Sequence, residues 1–361
     1  MGNKAIKALP AFAAVFLAAC GTHEQPAVPT IHIDLASASV AEVDTTRMLR
    51  LEAGDSSMLF GIDRLMACDS AYVVHSRNYL RAFDRHTGRF MNDVASYGTG
   101  PEDFSNVSML WQEGDTILLF DSNRRTVAKY LRDGTFLGAK QPFKNTVIPK
   151  NQPLRQFYRL KDGQYISVNG STGGSTDSNP LVSLYGANMA HIDAVKGRDV
   201  AESTYLTDGT WYDTQHDRVL MWEPMRDTIF AADASAVAPL YAVDWGAHSL
   251  PDTISSLPSL AERLRAFSLP DAPLYASFIQ SVRTDGYDLY FSFADNRGRS
   301  YIVRSDAQGQ ACAVRSFASA DGRYTQGAYF MLDGDSLRMA LRDNECVEAN
   351  PIIYTIAKND F

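Results

Sequence analysis

The sequence predicts an all-β protein, a six-bladed β-propeller with a short helix inserted between its fourth and fifth blades. Three observations predict this fold class. Short apolar segments recur along the chain, and each begins after a turn that contains Asp or Gly. The repeat has a period of about 40 to 50 residues, which suits a blade of several strands. Helical periodicity is nearly absent, which disfavours a parallel α/β sheet.

The first twenty residues are typical of an export signal. Lys4 and Lys7 precede an apolar run over 8–19, and about 12 apolar residues are too few to span a bilayer, which takes about 20. The run ends in Leu-Ala-Ala-Cys at Cys20, which resembles the lipobox of bacterial lipoproteins. This resemblance implies that Cys20 is lipidated and becomes the mature N-terminus. We therefore expect a lipid anchor in the membrane.

These features divide the chain into a signal peptide (1–19), a tether from the lipidated cysteine (20–30) and a β-propeller (31–361). The expected location is the cell envelope, with the periplasmic face and the outer surface of the outer membrane both open. The formal net charge is -8, and it becomes more negative when Lys4 and Lys7 leave with the signal. Nucleic-acid binding is disfavoured, because phosphate contacts draw on clustered basic residues.

Three cysteines follow the signal: Cys68, Cys312 and Cys346. An odd number cannot pair completely, and none of the spacings matches a Cys-x-x-Cys zinc motif. A disulfide between Cys312 and Cys346 is one interpretation in an oxidising compartment. The favoured interpretation is that all three cysteines are small buried residues.

Six repeated units carry the fold prediction. Each contains an apolar strand after an Asp/Gly turn: CDSAYVVHS (68–76), GDTILLFDS (114–122), DGQYISVNG (162–170), HDRVLMWEP (216–224), DGYDLYFSF (285–293) and GDSLRMALR (334–342). A second strand follows each one after a polar bend. A single blade cannot cover both of its faces, so blades stack around an axis. We expect Ile31–Leu35 or Met48–Glu52 to close the ring by pairing into the last blade.

The spacing between the fourth and fifth units is longer than the others, and SSLPSLAERLRAF (255–267) lies within it. Pro258 suits a helix start, and Ser259 with Glu262 has the spacing of a capping box. The apolar residues then fall on one stripe. This predicts an amphipathic helix that either lies over one end of the ring or fills a gap at its rim.

The glycine cluster GTGPEDF (98–104) is interpreted as a turn between blades. A dinucleotide fingerprint needs a third glycine where Asp103 stands, and a P-loop needs a lysine that is missing. Gly98 and Gly100 permit a tight crossing, Pro101 fixes φ, and Phe104 anchors the next blade.

The longer run AFDRHTGRFMNDVASYGTGPEDF (82–104) resembles the TolB-like six-bladed β-propeller lipoproteins of Gram-negative bacteria, which are similar to NHL-repeat propellers. The likeness is closest over 45–140, and Asp103 stands where Glu is commoner. It implies a lipid-anchored propeller and supplies no catalytic residues.

Catalytic motifs are sparse. The histidines form no His-Glu-x-x-His motif, and His75 and His216 are interpreted as structural. No Gly-x-Ser-x-Gly elbow is present. No cofactor is predicted, although calcium at the Asp and Asn groups of 121–123 or 294–296 stays open. A propeller enzyme would draw its site from several blades, so a metal-assisted hydrolase or lyase in the central tunnel is the alternative function.

A binding role is favoured over an enzymatic one. Aromatic and arginine side chains near strand ends suit sugars, peptides or acidic termini, because flat apolar faces and forked donors bind at little ordering cost. The predicted ligand-binding residues are Arg124, Trp211, Tyr212 and Arg226. The sequence thus predicts a non-enzymatic scaffold or binding module for a protein, peptide or glycan of the envelope.

Overall fold

The computed structural model describes residues 27–142, 154–169, 182–195, 209–223, 225–257, 259–346 and 349–361, and Cys20 lies outside these ranges. The first half contains the strands β1 (Thr30–His32), β2 (Ser39–Glu42), β3 (Met48–Arg50), β4 (Arg64–Ala67), β5 (Ala71–Ser76), β6 (Tyr79–Asp84), β7 (Phe90–Ser96), β8 (Val107–Glu113), β9 (Thr116–Asp121), β10 (Thr126–Leu131), β11 (Phe136–Lys140), β12 (Leu154–Arg159) and β13 (Tyr165–Asn169). The second half contains β14 (Val182–Tyr185), β15 (His191–Val195), β16 (Thr210–Asp213), β17 (Arg218–Trp222), β18 (Thr228–Ala232), β19 (Val237–Asp244), β20 (Ala276–Thr284), β21 (Leu289–Asp295), β22 (Ser300–Ser305), β23 (Ala311–Ala318), β24 (Tyr324–Asp333), β25 (Ser336–Asp343) and β26 (Ile352–Ala357).

The described strands form five sheets. Three are four-stranded antiparallel meanders, β4 to β7, β8 to β11 and β12 to β15, and the fourth contains β16 to β19 with β1 added. Neighbouring strands follow each other in the chain because tight turns join them. Gly114 and Gly334, each with φ of 57°, begin the turns between β8 and β9 and between β24 and β25. Such two-residue hairpins need positive φ, which glycine adopts without steric cost.

The fifth sheet has nine strands and is the point at which the structure departs from six separate blades. It contains two successive meanders, β20 to β23 and β24 to β26. They are continuous because β23 and β24 meet through one residue pair, Ala318 with Thr325. The mostly β, propeller-like arrangement is confirmed, whereas the described strands form five separate sheets.

The apolar core lies between neighbouring sheets. Val73 of β5 shares a buried cluster with Ile117 of β9, and the other successive sheets share clusters in the same way. Tyr72 of β5 also packs in one cluster with Ile353 of β26. The first and last meanders are therefore in contact, and each apolar face is covered by the next sheet.

The N-terminal segment runs along the outer edges of three successive meanders. β1 pairs in parallel with β19, β2 pairs in parallel with β23, and β3 pairs antiparallel with β26. Of the two segments expected to pair into the last blade, Met48–Glu52 supplies the strand, whereas Ile31 lies against Val243 of an earlier sheet. Edge strands expose unpaired backbone N–H and C=O groups, and the N-terminal segment pairs with these groups at three edges.

Two short helices, α1 (Asp252–Ser255) and α2 (Leu260–Phe267), lie between β19 and β20. The capping box is present: Ser259 accepts a hydrogen bond from the Glu262 backbone N–H, and the Glu262 side chain accepts one from the Ser259 N–H. This box starts α2 at Leu260, so the helical segment is shorter than the predicted 255–267. No described helix is long and apolar enough to cross a membrane.

The cysteines differ from the sequence-based interpretation. All three described cysteines are free, and only Cys68 is buried. Cys312 and Cys346 are exposed, so the prediction that all three are buried is wrong for these two, and they form no disulfide. Cys312 lies on β23 and Cys346 follows β25, and these two strands are separated by β24 in the sheet.

Antiparallel meanders give the molecule two unlike ends. We call the hairpin end the one where tight turns join the first strand to the second and the third to the fourth, as at 114–115 and 85–89. We call the other the crossover end, since it carries the connections from each meander to the next. Its connections are longer, and the longest described one contains α1 and α2 at 245–275. Loops of this kind commonly carry function.

Candidate functional site

A central cavity of about 1820 Å³ is the main candidate site. The first strand of each meander contributes to its wall, namely β4, β8, β12, β16, β20 and β24. Among the described strands, five of these six pair with a neighbour on one side only, as β4 does with β5. Their other edge leaves backbone N–H and C=O groups unpaired by a strand, and such groups can hydrogen-bond a ligand.

Aromatic side chains cover much of the cavity wall. The lining rings are Phe60, Trp111, Phe157, Tyr158, Tyr165, Trp211, Tyr212, Trp222 and Tyr329. Tyr158 and Tyr212 stack at 5.8 Å between ring centroids, and Trp111 meets Phe157 edge to face at 6.1 Å. These contacts connect neighbouring meanders and hold the rings in fixed positions. A wall of this composition suits a ligand with flat apolar faces.

Arg283 is the most unusual charged group in the cavity. It lies near the end of β20 and is half-buried, with its guanidinium carbon 4.5 Å from the Trp211 ring centroid. Its Nη1 donates to the carbonyl of Val282 at 2.7 Å. Its Nε is buried and has no hydrogen-bond partner among the described residues. Burial lowers the pKa of Arg283, while the nearby Tyr329 partly offsets this effect.

The lining carboxylates are already engaged. Asp63 accepts from the Arg77 N–H at 2.7 Å, and Glu113 accepts from the Trp111 indole at 3.1 Å. Asp343 forms an ion pair with Arg323 at 3.0 Å. None of these three acids forms an ion pair with Arg283.

A hydrogen-bonded pair of polar side chains in the cavity wall joins two neighbouring meanders. Thr210 donates to the Gln156 side-chain oxygen, and Tyr158 Oη lies 2.8 Å from Thr210 Oγ1. Tyr329 bridges in a similar way, because its hydroxyl accepts from the Leu65 N–H and donates to the Leu65 carbonyl at 3.0 Å. Hydroxyls and amides therefore lie beside the rings around the cavity.

The predicted ligand-binding residues fall in different places. Trp211 and Tyr212 line the cavity, where the Tyr212 hydroxyl donates to Asp217 Oδ1 at 2.5 Å. Arg226 lies outside the lining and its Nε is 3.4 Å from Glu223 Oε2. Arg124 lies at the glycine-rich turn. The binding roles of all four remain predictions.

Arg124 completes the turn between β7 and β8. Its Nη1 donates to the carbonyls of Gly100 at 2.9 Å and Asp103 at 2.6 Å, and its Nη2 donates to that of Gly98 at 2.7 Å. A Cβ on Gly98 would lie 2.2 Å from Asp103 Oδ2, which explains the glycine there. Phe104 is 1% exposed and packs under the turn after Pro101.

The positions left open for calcium are occupied by turn contacts. Asp121 accepts from the N–H groups of Asn123 and Arg124 at 3.0 Å each, and Asp295 accepts from that of Arg297 at 2.9 Å. In the described part of the chain, no group of three or more His, Cys, Asp or Glu side chains is placed to hold a metal ion. His75 and His216 each contact their own turn, at Arg77 O and Asp213 Oδ2.

Sequence reasoning missed Arg283, Gln280, Tyr158 and Tyr329. All four lie on first strands, which precede the Asp/Gly turns, whereas the repeat was recognised from the strands that follow those turns. The sequence signal that could have identified these strands is therefore their position immediately before each Asp/Gly turn. It does not tell which residue of each strand faces the axis, because bulges shift the alternation in β20 and β24.

The sequence also matches a known protein family. A family model described as a domain of unknown function, DUF4934, matches residues 30–347. The chain belongs to the DUF4934 family. The match covers all the meanders apart from the last strand of the chain. The TolB-like and NHL-like identity expected from 82–104 is not supported by these findings and stays a resemblance.

Two solved structures resemble this DUF4934 protein. A Bacteroides fragilis protein described as exported has a TM-score of 0.63 and 17% identity, over 91% of this chain and 98% of that one. A DUF4221 member from Bacteroides vulgatus has a TM-score of 0.51 and 10% identity, over 87% and 98%. At these identities the likeness concerns the fold. No curated protein matches the sequence.

Proposed function

We propose that this DUF4934 protein is a non-enzymatic binding module of the cell envelope that holds a protein, peptide or glycan ligand in its central cavity. The observation that carries the proposal is the wall of the cavity. It is contributed by the first strand of every meander and combines aromatic rings with arginine, amide and hydroxyl groups. Pockets of this composition bury a ligand among apolar surfaces and orient it through a few polar groups.

The ring that encloses the cavity is proposed to have six blades. In this interpretation the nine-stranded sheet supplies two blades, β20 to β23 and β24 to β26 with β3, which meet at a single residue pair. Ring closure is supported by the cluster that joins Tyr72 and Ile353. The inserted helices then lie between the fourth and fifth blades, and none of their described residues lines the cavity.

The anchor is proposed to be a lipid on Cys20. Pro29, at the end of the tether, lies beside Gly309 in a turn of the hairpin end. An anchored molecule would therefore turn its hairpin end towards the membrane and its longer crossover connections away from it. The likeness to a Bacteroides fragilis protein described as exported is consistent with an envelope location.

Cysteine replacement tests the anchor. In the full chain, Cys20→Ser is expected to move the protein from the membrane fraction to the soluble fraction of the envelope after signal removal. The exposed Cys312→Ser is the matched control and should leave it in the membrane. Membrane retention of Cys20→Ser would show that the lipobox interpretation is wrong.

Filling the cavity tests the binding function. Ala328 lies on its wall, and Ala328→Trp would place a large ring inside it. Purified protein is titrated with glycan and peptide panels, and at least one class is expected to bind wild type and to lose binding in Ala328→Trp. Arg89→Ala, an exposed substitution outside the cavity, should bind normally. If the ligand binds Ala328→Trp as tightly as it binds wild type, the proposal is contradicted. Release of a chemically altered ligand would favour the hydrolase or lyase alternative.

A further inference from the structure

Arg283 carries a positive charge that the described protein does not neutralise. Its guanidinium lies 4.5 Å from the centroid of Trp211 and 5.8 Å from that of Phe330. Its Nη1 bonds a backbone carbonyl at Val282, but its Nε has no partner, and none of the described carboxylates forms an ion pair with it. Ring faces attract a cation but do not replace a carboxylate.

Such a cation is costly in a folded protein unless an anion joins it. Removing a charged group from water without a partner is unfavourable, and the cost falls when a charge-assisted hydrogen bond forms. The forked N–H groups of arginine match a carboxylate in a bidentate arrangement. The three described acidic residues of the cavity wall are engaged with Arg77, Trp111 and Arg323, so none of them is available to pair with Arg283. A bound ligand could supply the anion.

Gln280 adds a requirement of the opposite kind. A register shift between Ile279 and Ser281 places it in a bulge of β20, so Gln280 and Arg283 both line the cavity. Its Oε1 is buried and has no hydrogen-bond partner among the described residues. This oxygen needs a donor, which a carboxylate cannot supply. A hydroxyl group can.

The two requirements together describe one ligand. We propose that the cavity binds an acidic sugar, with its carboxylate on Arg283 and a ring hydroxyl on Gln280. The proposal rests on the proposed binding function and deepens it. The hydroxyl groups of Tyr158 and Tyr329 and the ring of Trp111 also line the cavity. They suit the remaining hydroxyls and the apolar face of a sugar ring.

Calorimetric titration of the full-length protein tests the inference. The probes are trisaccharides of galacturonic, glucuronic and mannuronic acid, the corresponding neutral trisaccharides, and the peptide trialanine. At least one acidic trisaccharide is expected to bind about tenfold or more tightly than its neutral counterpart, since each tenfold is about 1.4 kcal/mol. Arg283→Gln is expected to remove this preference, and Arg283→Lys to restore part of it, because lysine keeps the charge and loses the fork.

Controls keep the outcomes separate. Arg89→Gln removes an exposed arginine outside the cavity and should leave the affinities unchanged. Each variant is first checked by its melting temperature, and Gln280→Leu provides a second variant that should weaken sugar binding with Arg283 intact. Equal affinity for acidic and neutral sugars, with loss in Ala328→Trp, overturns the inference and leaves the binding module standing. Tighter binding of trialanine than of every sugar, or an acidic preference unchanged in Arg283→Gln, also overturns it. Absence of any binding sensitive to Ala328→Trp contradicts the proposed function itself.

Discussion

The glycine-rich turn at 98–104 and the central cavity each contain a partly covered arginine, and the two side chains are satisfied to different degrees. Arg124 donates to three backbone carbonyls of the turn, and its Nε lies 3.6 Å from Asp121. Arg283 donates to one carbonyl and leaves its Nε without a partner in the described structure. Arg124 contacts a glycine-rich turn and Arg283 lies beside aromatic rings. The sequence around each arginine does not reveal which of them has its donors satisfied.

The difference separates a structural arginine from a candidate binding arginine. A guanidinium whose donors are used by the backbone holds a loop in place, and removing it leaves carbonyls unpaired. A buried guanidinium that leaves a donor unused, as Arg283 does at Nε, costs free energy until a ligand supplies an acceptor. Replacing Arg124 should therefore lower the stability of the fold, whereas replacing Arg283 should lower the affinity for a ligand.

The largest effect is expected from Arg124→Ala. It removes hydrogen bonds to three carbonyls, and the free energy of unfolding should fall by about 3 kcal/mol after allowance for partial exposure. Urea denaturation measures this change. Arg89→Ala, which removes an exposed arginine, is the control and should change the free energy by about 0.5 kcal/mol or less. A loss below about 1 kcal/mol in Arg124→Ala would remove the structural role assigned to this side chain.

Asp213 extends the comparison to a buried acid whose partners are complete. Burial would raise its pKa, but hydrogen bonds from His216 at 2.8 Å and Arg218 at 3.0 Å hold the pKa below its ordinary value. Its contribution is therefore present above the pKa of an unfolded Asp, about 3.9, and is lost as the pH falls through the lower folded value. Asp213→Asn should cost about 1 to 2 kcal/mol at pH 7 and should flatten the acid limb of stability.

Urea midpoints measured between pH 2 and pH 7 check this sign. The exposed Asp271→Asn is the control and should keep the wild-type acid limb. If Asp213→Asn loses stability on acidification as steeply as wild type does, the partners of Asp213 do not produce the pH dependence.

Trp211→Leu tests the support beneath Arg283. Loss of the ring removes a cation–π contact that contributes about 1 kcal/mol, so the affinity for an acidic trisaccharide should fall about fivefold. Titration calorimetry measures the change. Tyr287→Leu, at a side chain that is 76% exposed, is the control and should have no effect on affinity. Unchanged affinity in Trp211→Leu would mean that Arg283 keeps its position without the ring.

The smallest effect on stability is expected from Arg283→Met, the counterpart of Arg124→Ala. The methionine fills part of the same space and removes an unpaired cation, so the free energy of unfolding should change by about 1 kcal/mol or less, and an increase is consistent with the argument. The same urea experiment measures it. Destabilisation as large as that of Arg124→Ala would show that Arg283 is a structural residue, like Arg124, and not a candidate binding residue.

Local features of the fold were predictable because they depend on neighbours in sequence. The Gly114 and Gly334 hairpins and the capping box of Ser259 and Glu262 follow from short-range patterns. The pairing of Met48–Arg50 into the last meander was expected from the need to close the ring, with Ile31–Leu35 as the other candidate. The parallel additions of β1 and β2 were not predicted. Parallel pairing at an outer edge leaves no turn signal in the sequence, because the two strands are far apart in the chain.

The sequence by itself determined that this chain forms repeated antiparallel meanders, because turn chemistry and strand alternation are encoded within a few residues. Only the tertiary structure decided which side chains meet in the cavity and which arginine has its donors used. Each meander contributes one strand to the axis, and the bulge at Gln280 changes which side chains face it. Contacts among Trp211, Arg283 and Tyr329 join three separate meanders, so no local pattern in the sequence can specify them.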